Sequence, residues 1–167
     1  MSVIESQDET FFSRENPRFS TFVDLLAKIA YDADLFERCV ILLAKFALTE
    51  TEGENRDSIQ KRLFSLFWMG LSGTEAGPDA RENLARRFLT SRDHSGQQLG
   101  LGMLKEALRS SLWFSIGTFD FGARPRDFGY HPKTSEEQDL ELTRFRGYLI
   151  LWGGGIHDAT HTSRIPA

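Results

Sequence analysis

Apolar residues recur every three or four positions along most of the chain, a pattern typical of helices that bury one face. The first stripe follows Asn16 and Pro17, a pair typical of the N-cap and first position of a helix. A second helix is predicted from Asp34, with Glu37 as its capping-box partner. This second helix is apolar on nearly every side, so we expect neighbours to cover it on several sides.

Four more helices are predicted from the same signals. The first two follow polar loops, and the second of these begins at a proline. Each of the last two has a hydroxyl residue followed three positions later by Gln or Glu, as in a capping box. The predicted ranges are 56–71, 78–90 from Pro78, 95–113 from Ser95 with Gln98, and a last helix from Thr134 with Glu137.

The helices also show a repeat. The sequence LLAKIA at 25–30 recurs as LLAKFA at 42–47, which predicts two adjacent helices joined by a tight turn. Predicted starts near 17, 57, 95 and 134 recur about every 40 residues, the length of HEAT or armadillo hairpins. We therefore predict an all-α fold: a HEAT/armadillo-like α-solenoid of about six helices in antiparallel hairpins.

The predicted organisation has three parts. Residues 1–16 are mostly polar and are expected to form a flexible leader, and residues 17–154 form the helical-repeat domain. Residues 155–167 form a tail without a polar capping helix. Because solenoids need polar ends, this tail either folds back as a cap or continues into a longer array, and we favour the longer array.

One segment interrupts the helical pattern. Residues 119–132 have the sequence FDFGARPRDFGYHP, inside an irregular loop predicted over 114–133, where the second helix of a repeat would lie. Its glycines and prolines disfavour a continuous helix. In one interpretation Phe119, Phe121, Phe128 and Tyr130 fill the groove of the missing helix and an Arg–Asp pair ties the loop together. In the other, the segment binds a partner's carboxylate or phosphate. The candidate binding residues are Arg124, Arg126, Asp127, Phe128, Tyr130 and His131.

Composition and motifs exclude several classes of function. A net charge of −4 gives no general attraction to nucleic acid or to an anionic membrane. The two DFG triplets do not indicate a kinase, because the sequence has no glycine-rich strand loop and no HRD motif. Gly100 and Gly102 are expected to permit close helix packing, and Cys39 is expected to be buried. No catalytic residue, metal site or cofactor is predicted.

Two alternatives stay open beside a non-catalytic role. A nucleic-acid-binding helical repeat would use Arg81, Arg86 and Arg87 together with Arg124 and Arg126. A solvated helix face is the simpler interpretation of the basic stretch Arg81, Arg86, Arg87 and Arg92. A small metal-dependent hydrolase would use His157, Asp158 and His161, although the three preceding glycines disfavour the helix that would align the two imidazoles.

Three runs resemble the helical-repeat region of large bacterial STAND-type or related P-loop NTPases, several of which serve in antiphage defence. The runs, all within 64–132, are SLFWMGLSGTEAGPDAR, LTSRDHSGQQLGLGMLKEAL and FDFGARPRDFGYHP. The resemblance implies a superhelical arm that senses a ligand or mediates assembly. It implies no catalytic residue here, since the chain has no P-loop. We therefore expect a scaffold or recognition module whose partner is another protein or the remainder of a larger polypeptide. A cytoplasmic location is expected because the sequence shows no secretory signal and no apolar run long enough to span a membrane.

Overall fold

The computed structural model describes residues 2–13, 15–50, 58–68, 72–108, 126–137, 139–143 and 146–147. In these ranges the secondary structure is helical, apart from one isolated parallel bridge, so the all-α prediction is confirmed for them. None of their helices is long and apolar enough to cross a membrane. The helices are α1 (Ser2–Glu5), α2 (Phe19–Ile29), α3 (Ala33–Leu48), α4 (Ile59–Ser65), α5 (Pro78–Leu89) and α6 (His94–Ala107). A C-terminal helical stretch follows, comprising residues 135–137, 139–143 and 146–147.

Several helix starts differ from their predicted positions. Asn16 does not cap α2: its Oδ1 accepts a 3.0 Å hydrogen bond from the backbone N–H of Arg18, so residues 16–18 form a turn before the helix. The cap of α3 is Asp32, not Asp34, and the cap of α6 is Asp93, not Ser95. Each of the two aspartates accepts a hydrogen bond from a backbone N–H of the first turn, as a capping side chain does.

Other helix boundaries agree with the sequence. Pro78 opens α5 as predicted, and the Oγ1 of Thr134 accepts a 3.1 Å hydrogen bond from the backbone N–H of Glu137, which confirms the last cap. The helix predicted over 56–71 is shorter in the structure, and its N-terminus at Ile59 is capped by the distant carboxylate of Glu50. Residues 56–57, 69–71 and 109–113 of the predicted helices lie outside the described residues.

The core is built around α3. Helix α2 packs on it after a connection of three residues, which confirms the predicted tight turn, and α4 packs on α3 from another side. This coverage explains why α3 is apolar on nearly every side. Helices α5 and α6 form a second close pair, and α4 contacts α6 as well as α3. The buried residues of α3 are Phe36, Cys39, Val40, Leu42, Leu43, Ala44, Phe46 and Ala47.

The repeat interpretation places α4 and α5 in one hairpin. In the structure the extensive contacts of α4 are with α3 and α6, and those of α5 are with α6. The two pairs α2–α3 and α5–α6 are therefore the helical hairpins of the described residues, and the HEAT-like arrangement stays a prediction.

Part of the predicted leader lies in the core. Phe12 is buried with its ring 4.9 Å from that of Phe46, and its carbonyl accepts a 2.8 Å hydrogen bond from Thr49 Oγ1. Glu5 of α1 forms two hydrogen bonds with the guanidinium of Arg38, at 2.8 and 2.9 Å. The polar composition of residues 1–16 hides this docking, because its apolar contact with the core comes from a few residues: Ile4, Phe11 and Phe12.

Two glycines of α6 permit close helix packing, as predicted. A Cβ at Gly100 would lie 2.6 Å from the backbone nitrogen of Leu89 at the end of α5. A Cβ at Gly102 would overlap the ring of Phe64 in α4. Both contacts are closer than real Cβ atoms tolerate, so these glycines determine how near α6 lies to its two neighbours.

Candidate functional site

Arg81 on α5 is completely buried, with 0% of its surface exposed. The expected position on a solvated basic face is therefore wrong for this residue. Its Nη1 donates a hydrogen bond to the carbonyl of Trp68, and its Nη2 donates one of 2.7 Å to Oγ of Ser72. Both acceptors belong to the connection between α4 and α5, so the guanidinium fixes that connection against the helix.

The charge of Arg81 is balanced from the C-terminal helical stretch. Burial lowers the pKa of Arg81 to about 10, and the nearby carboxylate of Glu141 acts in the opposite direction. Glu141 is itself only 7% exposed, and its Oε1 accepts a hydrogen bond from the hydroxyl of Tyr130. The ring of Tyr130 lies 5.7 Å from the guanidinium carbon of Arg81. Because a buried charge is costly unless an opposite charge compensates it, these three residues form one electrostatic unit.

The second DFG triplet, Asp127 to Gly129, pairs with the α4–α5 connection. The backbone N–H of Gly73 donates to the carbonyl of Phe128 at 3.0 Å, and the N–H of Tyr130 donates to the carbonyl of Thr74 at 2.7 Å. Gly129 has a φ of +80°, and a Cβ there would lie 2.6 Å from the nitrogen of Thr74. The triplet therefore ends in glycine because the backbone of Thr74 comes too close for any side chain.

Asp127 fixes the start of this paired segment. Its Oδ1 accepts hydrogen bonds from the backbone N–H of Gly129 and from the hydroxyl of Tyr31, both at 2.8 Å. The bond from Gly129 and then the bond from Tyr31 lower the pKa of the Asp127 carboxyl. Burial and the bond to Asp127 raise the pKa of Tyr31 to about 12. At neutral pH the pair is therefore a phenol donating to a carboxylate.

Arg126 extends the same contact to α2. Its Nη1 donates a 2.6 Å hydrogen bond to the carbonyl of Lys28 in the last turn of that helix. Its guanidinium carbon lies 4.6 Å from the centre of the Tyr31 ring, within the range of a cation–π interaction. A cation near a helix C-terminus is also favourable, because the last carbonyls carry partial negative charge.

The structure brings together five of the six candidate binding residues, Arg126, Asp127, Phe128, Tyr130 and His131, while Arg124 lies outside the described residues. The groove-filling interpretation is wrong for Phe128, whose side chain is 52% exposed. It holds in part for Tyr130, which is half-buried against Arg81. His131 Nδ1 lies 3.3 Å from the carbonyl of Gly129. Phe119 and Phe121, the other two aromatics of that interpretation, also lie outside the described residues.

Sequence reasoning missed Tyr31 and Glu141, and it assigned Arg81 to an exposed basic face although the residue is buried. A signal for Arg81 was present, because Leu84 and Ala85 follow it at helical spacing and are buried, so Arg81 belongs to the inward face of α5. Tyr31 and Glu141 carry no such signal. Their roles come from contacts with residues far away in the sequence.

This site gives no support to nucleic-acid binding or to metal-dependent hydrolysis. Of the basic stretch, Arg81 is buried, Arg87 donates to Glu37 at 2.9 Å and Arg86 donates to Asn83. Within the described ranges no group of three His, Cys, Asp or Glu side chains could hold a metal ion. Cys39 is buried, as expected. The residues of the hydrolase alternative, His157, Asp158 and His161, lie outside the described part of the chain.

Comparison with known proteins gives no relative for this arrangement. No protein-family model matches the chain. No curated protein and no solved structure matches it either. The resemblance to the repeat region of STAND-type NTPases is therefore carried by the sequence runs quoted above.

Proposed function

We propose that this chain is a non-catalytic recognition module that binds a protein partner through the surface around Phe128. The observation that carries the proposal is the combination of an exposed aromatic side chain and a fixed backbone. Phe128 is 52% exposed, yet its carbonyl accepts a hydrogen bond from Gly73, and its neighbours Asp127 and Gly129 are tied to Tyr31 and Thr74.

This arrangement favours binding for a physical reason. Aromatic residues supply much of the binding energy at protein interfaces, where they become buried in a partner's pocket. A segment that is already ordered loses less conformational entropy on binding than a flexible loop does. Phe128 is therefore held in place before a partner binds, and Arg126, two residues before it in the chain, lies over the ring of Tyr31.

The ionisable groups of the site support a structural rather than a catalytic role. General bases act best when their pKa lies near the working pH. The pKa of Asp127 is lowered, and the pKa of Tyr130 is raised to about 12, first by burial and then by its bond to Glu141. Both shifts lead away from neutrality, and both groups already form hydrogen bonds within the fold.

The wider proposal is a HEAT-like helical repeat within a larger, NTPase-linked protein of bacterial antiphage defence, acting in the cytoplasm. The two helical hairpins, α2–α3 and α5–α6, with α4 packed between α3 and α6, support a stacked arrangement. The link to NTPases rests on the resemblance of residues 64–132. Nucleic-acid binding is the weaker alternative, since Arg81 is buried and Arg87 pairs with Glu37.

A photo-crosslinking phenylalanine analogue at position 128 tests this proposal in the cells that make the protein. The matched control carries the analogue at Gln98, which is exposed on α6. We expect a discrete protein adduct from position 128 and none from position 98. Added wild-type chain should compete for the adduct, whereas the Phe128→Ala chain should not.

Three results would contradict the proposal: no adduct, equal adducts from both positions, or equal competition by the two chains. An adduct removed by nuclease would instead support the nucleic-acid alternative.

A further inference from the structure

The leader segment, residues 4–13, lies on an aromatic face of α2 and α3. The ring centre of Phe11 is 4.8 Å from that of Phe22, and the ring centre of Phe12 is 4.9 Å from that of Phe46. Ring pairs at these distances attract each other beyond the burial of their area. The aromatic face comprises Phe19, Phe22 and Phe46.

Two cations of α3 border the aromatic face. Arg38 and Lys45 are seven positions apart, about two turns, so they lie on the same side of the helix. The Glu5 carboxylate accepts two hydrogen bonds from the Arg38 guanidinium, at 2.8 and 2.9 Å, and Lys45 Nζ lies 4.9 Å from the centre of the Phe12 ring. Thr49 Oγ1 donates a 2.8 Å hydrogen bond to the carbonyl of Phe12. This surface therefore binds a carboxylate, two adjacent rings and a main-chain carbonyl of one short segment.

The leader segment is attached to this surface at few points. Phe12 is the buried residue among residues 4–13, all of which the structure describes, and residues 5–10 are exposed. The ion pair of Glu5 and Arg38 is also exposed, so its contribution to stability is small. Elements with few buried apolar contacts open locally at a lower free energy than the core does. Helix α3, with its eight buried residues, belongs to that core.

We propose that the aromatic face, with Arg38 and Lys45 beside it, is a docking site for a short segment of a partner protein that carries an acidic residue and two adjacent aromatic residues. The leader segment has this chemistry and occupies the site from within the chain. Its covalent attachment gives it a high effective concentration. It therefore sets the affinity that a partner segment must exceed. This site is separate from the surface around Phe128 and does not depend on the function proposed there.

A labelled peptide with the sequence of residues 2–13 tests the site in the full chain. The leader variant, Phe11→Ala with Phe12→Ala, removes the internal competitor. We expect fluorescence anisotropy to show at least roughly tenfold tighter binding to the leader variant than to wild type. Replacing the second phenylalanine of the peptide by alanine should weaken binding by roughly tenfold or more, since a buried aromatic ring supplies much of the energy of an interface.

Reversing a charge tests the contact with Arg38. Adding Arg38→Glu to the leader variant should abolish binding of the peptide, and a peptide with arginine in place of its glutamate should bind again. The matched control is Lys105→Glu, which reverses an exposed cation of α6 and should leave binding unchanged. A peptide with alanine at every position except the glutamate and the two phenylalanines should bind the leader variant within about threefold of the original, because these three side chains make the ring and ion-pair contacts.

Several results would overturn the proposal: no peptide binding, equal binding to wild type and the leader variant, or binding that persists after Arg38→Glu. If the leader variant is unfolded in buffer, the peptide should restore its far-UV circular dichroism by mass action, and a failure to do so would count against the site. A wild-type dimer that Phe12→Ala dissociates would assign the site to the leader of a second copy and would overturn the assignment to a partner. Phe128→Ala should keep peptide binding, so this site and the Phe128 surface can fail independently.

Discussion

The hydroxyl of Tyr31 donates a 2.8 Å hydrogen bond to Oδ1 of Asp127, a residue 96 positions further along the chain. The backbone of Tyr31 contributes as well, since its carbonyl accepts a 2.8 Å hydrogen bond from the N–H of Glu75. One residue at the end of α2 therefore contacts both the α4–α5 connection and the paired segment that carries Phe128. The position of that segment depends on contacts between distant parts of the chain.

Removing the hydroxyl in Tyr31→Phe should lower the free energy of unfolding by about 1 kcal/mol, because the 2.8 Å bond to Asp127 and a longer 3.3 Å bond to Glu75 are lost while the ring contact with Arg126 remains. Urea denaturation measures the change. A double-mutant cycle with Asp127→Ala should give a coupling energy of about 0.5 kcal/mol or more. Strict additivity of the two changes would show that the bond contributes nothing to stability.

The Asp127 carboxylate should also make stability depend on pH in acid. Its folded pKa lies below the ordinary value, first because of the Gly129 N–H and then because of Tyr31. A lowered folded pKa gives stability that is present above the unfolded pKa of about 3.9 and is lost as the pH falls through the folded pKa. The stability advantage of wild type over Asp127→Asn should therefore shrink below about pH 4.

Urea denaturation of both proteins at pH 7, 5, 4 and 3 measures this difference. The other carboxyl groups titrate in both proteins, so their effects cancel in the comparison. An advantage that stays constant down to pH 3 would contradict the assignment of the lowered pKa to Asp127.

The buried charges of Arg81 and Glu141 give a third prediction. Arg81→Met should lower the free energy of unfolding by about 3 kcal/mol or more, since it leaves the Glu141 carboxylate buried without its cation. Adding Glu141→Leu should recover most of that loss, because an apolar pair of similar volume removes the cost of burying charge. Urea denaturation of the single and double variants measures both effects.

The exposed pair of Arg87 and Glu37 supplies the control. Its Arg87→Met variant should change the free energy of unfolding by no more than about 1 kcal/mol, as surface ion pairs do. A double variant less stable than Arg81→Met alone would contradict the charge-burial explanation.

Local signals in the sequence were sufficient for the helices and insufficient for the site. Helical spacing, Pro78 and the Thr134 cap correctly predicted helices, because each depends on residues within one or two turns. The caps Asp32 and Asp93 were misplaced because another residue able to cap follows each of them two positions later. Cap residues are interchangeable enough for such shifts.

The burial of Arg81 was missed because its charge was given more weight than its position on the apolar face of α5. The exposure of Phe128 was missed for the opposite reason, since aromatic residues usually lie inside. The backbone of segment 128–130 is fixed by its pairing with the α4–α5 connection, with the Tyr130 ring near Arg81 and the Phe128 side chain exposed. Pairing of two short segments far apart in sequence carries no local pattern.

The close approach of α5 and α6 gives a fourth prediction. Gly100→Ala should destabilise the protein by roughly 1–3 kcal/mol, because the new Cβ would lie 2.6 Å from the backbone nitrogen of Leu89, which cannot move away as a flexible side chain can. Gly147→Ala is the matched control: around this helical glycine, no atom of the described residues, its chain neighbours aside, lies within 4 Å of its virtual Cβ. The control should leave stability unchanged or raise it by up to about 1 kcal/mol. Thermal unfolding of both variants measures the difference, and equal midpoints would contradict the packing role of Gly100.

Phe128 should contribute little to folding. Phe128→Ala is expected to change the free energy of unfolding by no more than about 0.5 kcal/mol, because the side chain is already half in solvent and the surrounding backbone bonds remain. Phe36→Ala is the matched control at a fully buried site of α3 and should cost about 3–5 kcal/mol. Urea denaturation compares them. A loss from Phe128→Ala as large as that from Phe36→Ala would place the ring in the core and would remove the basis for treating it as a binding surface.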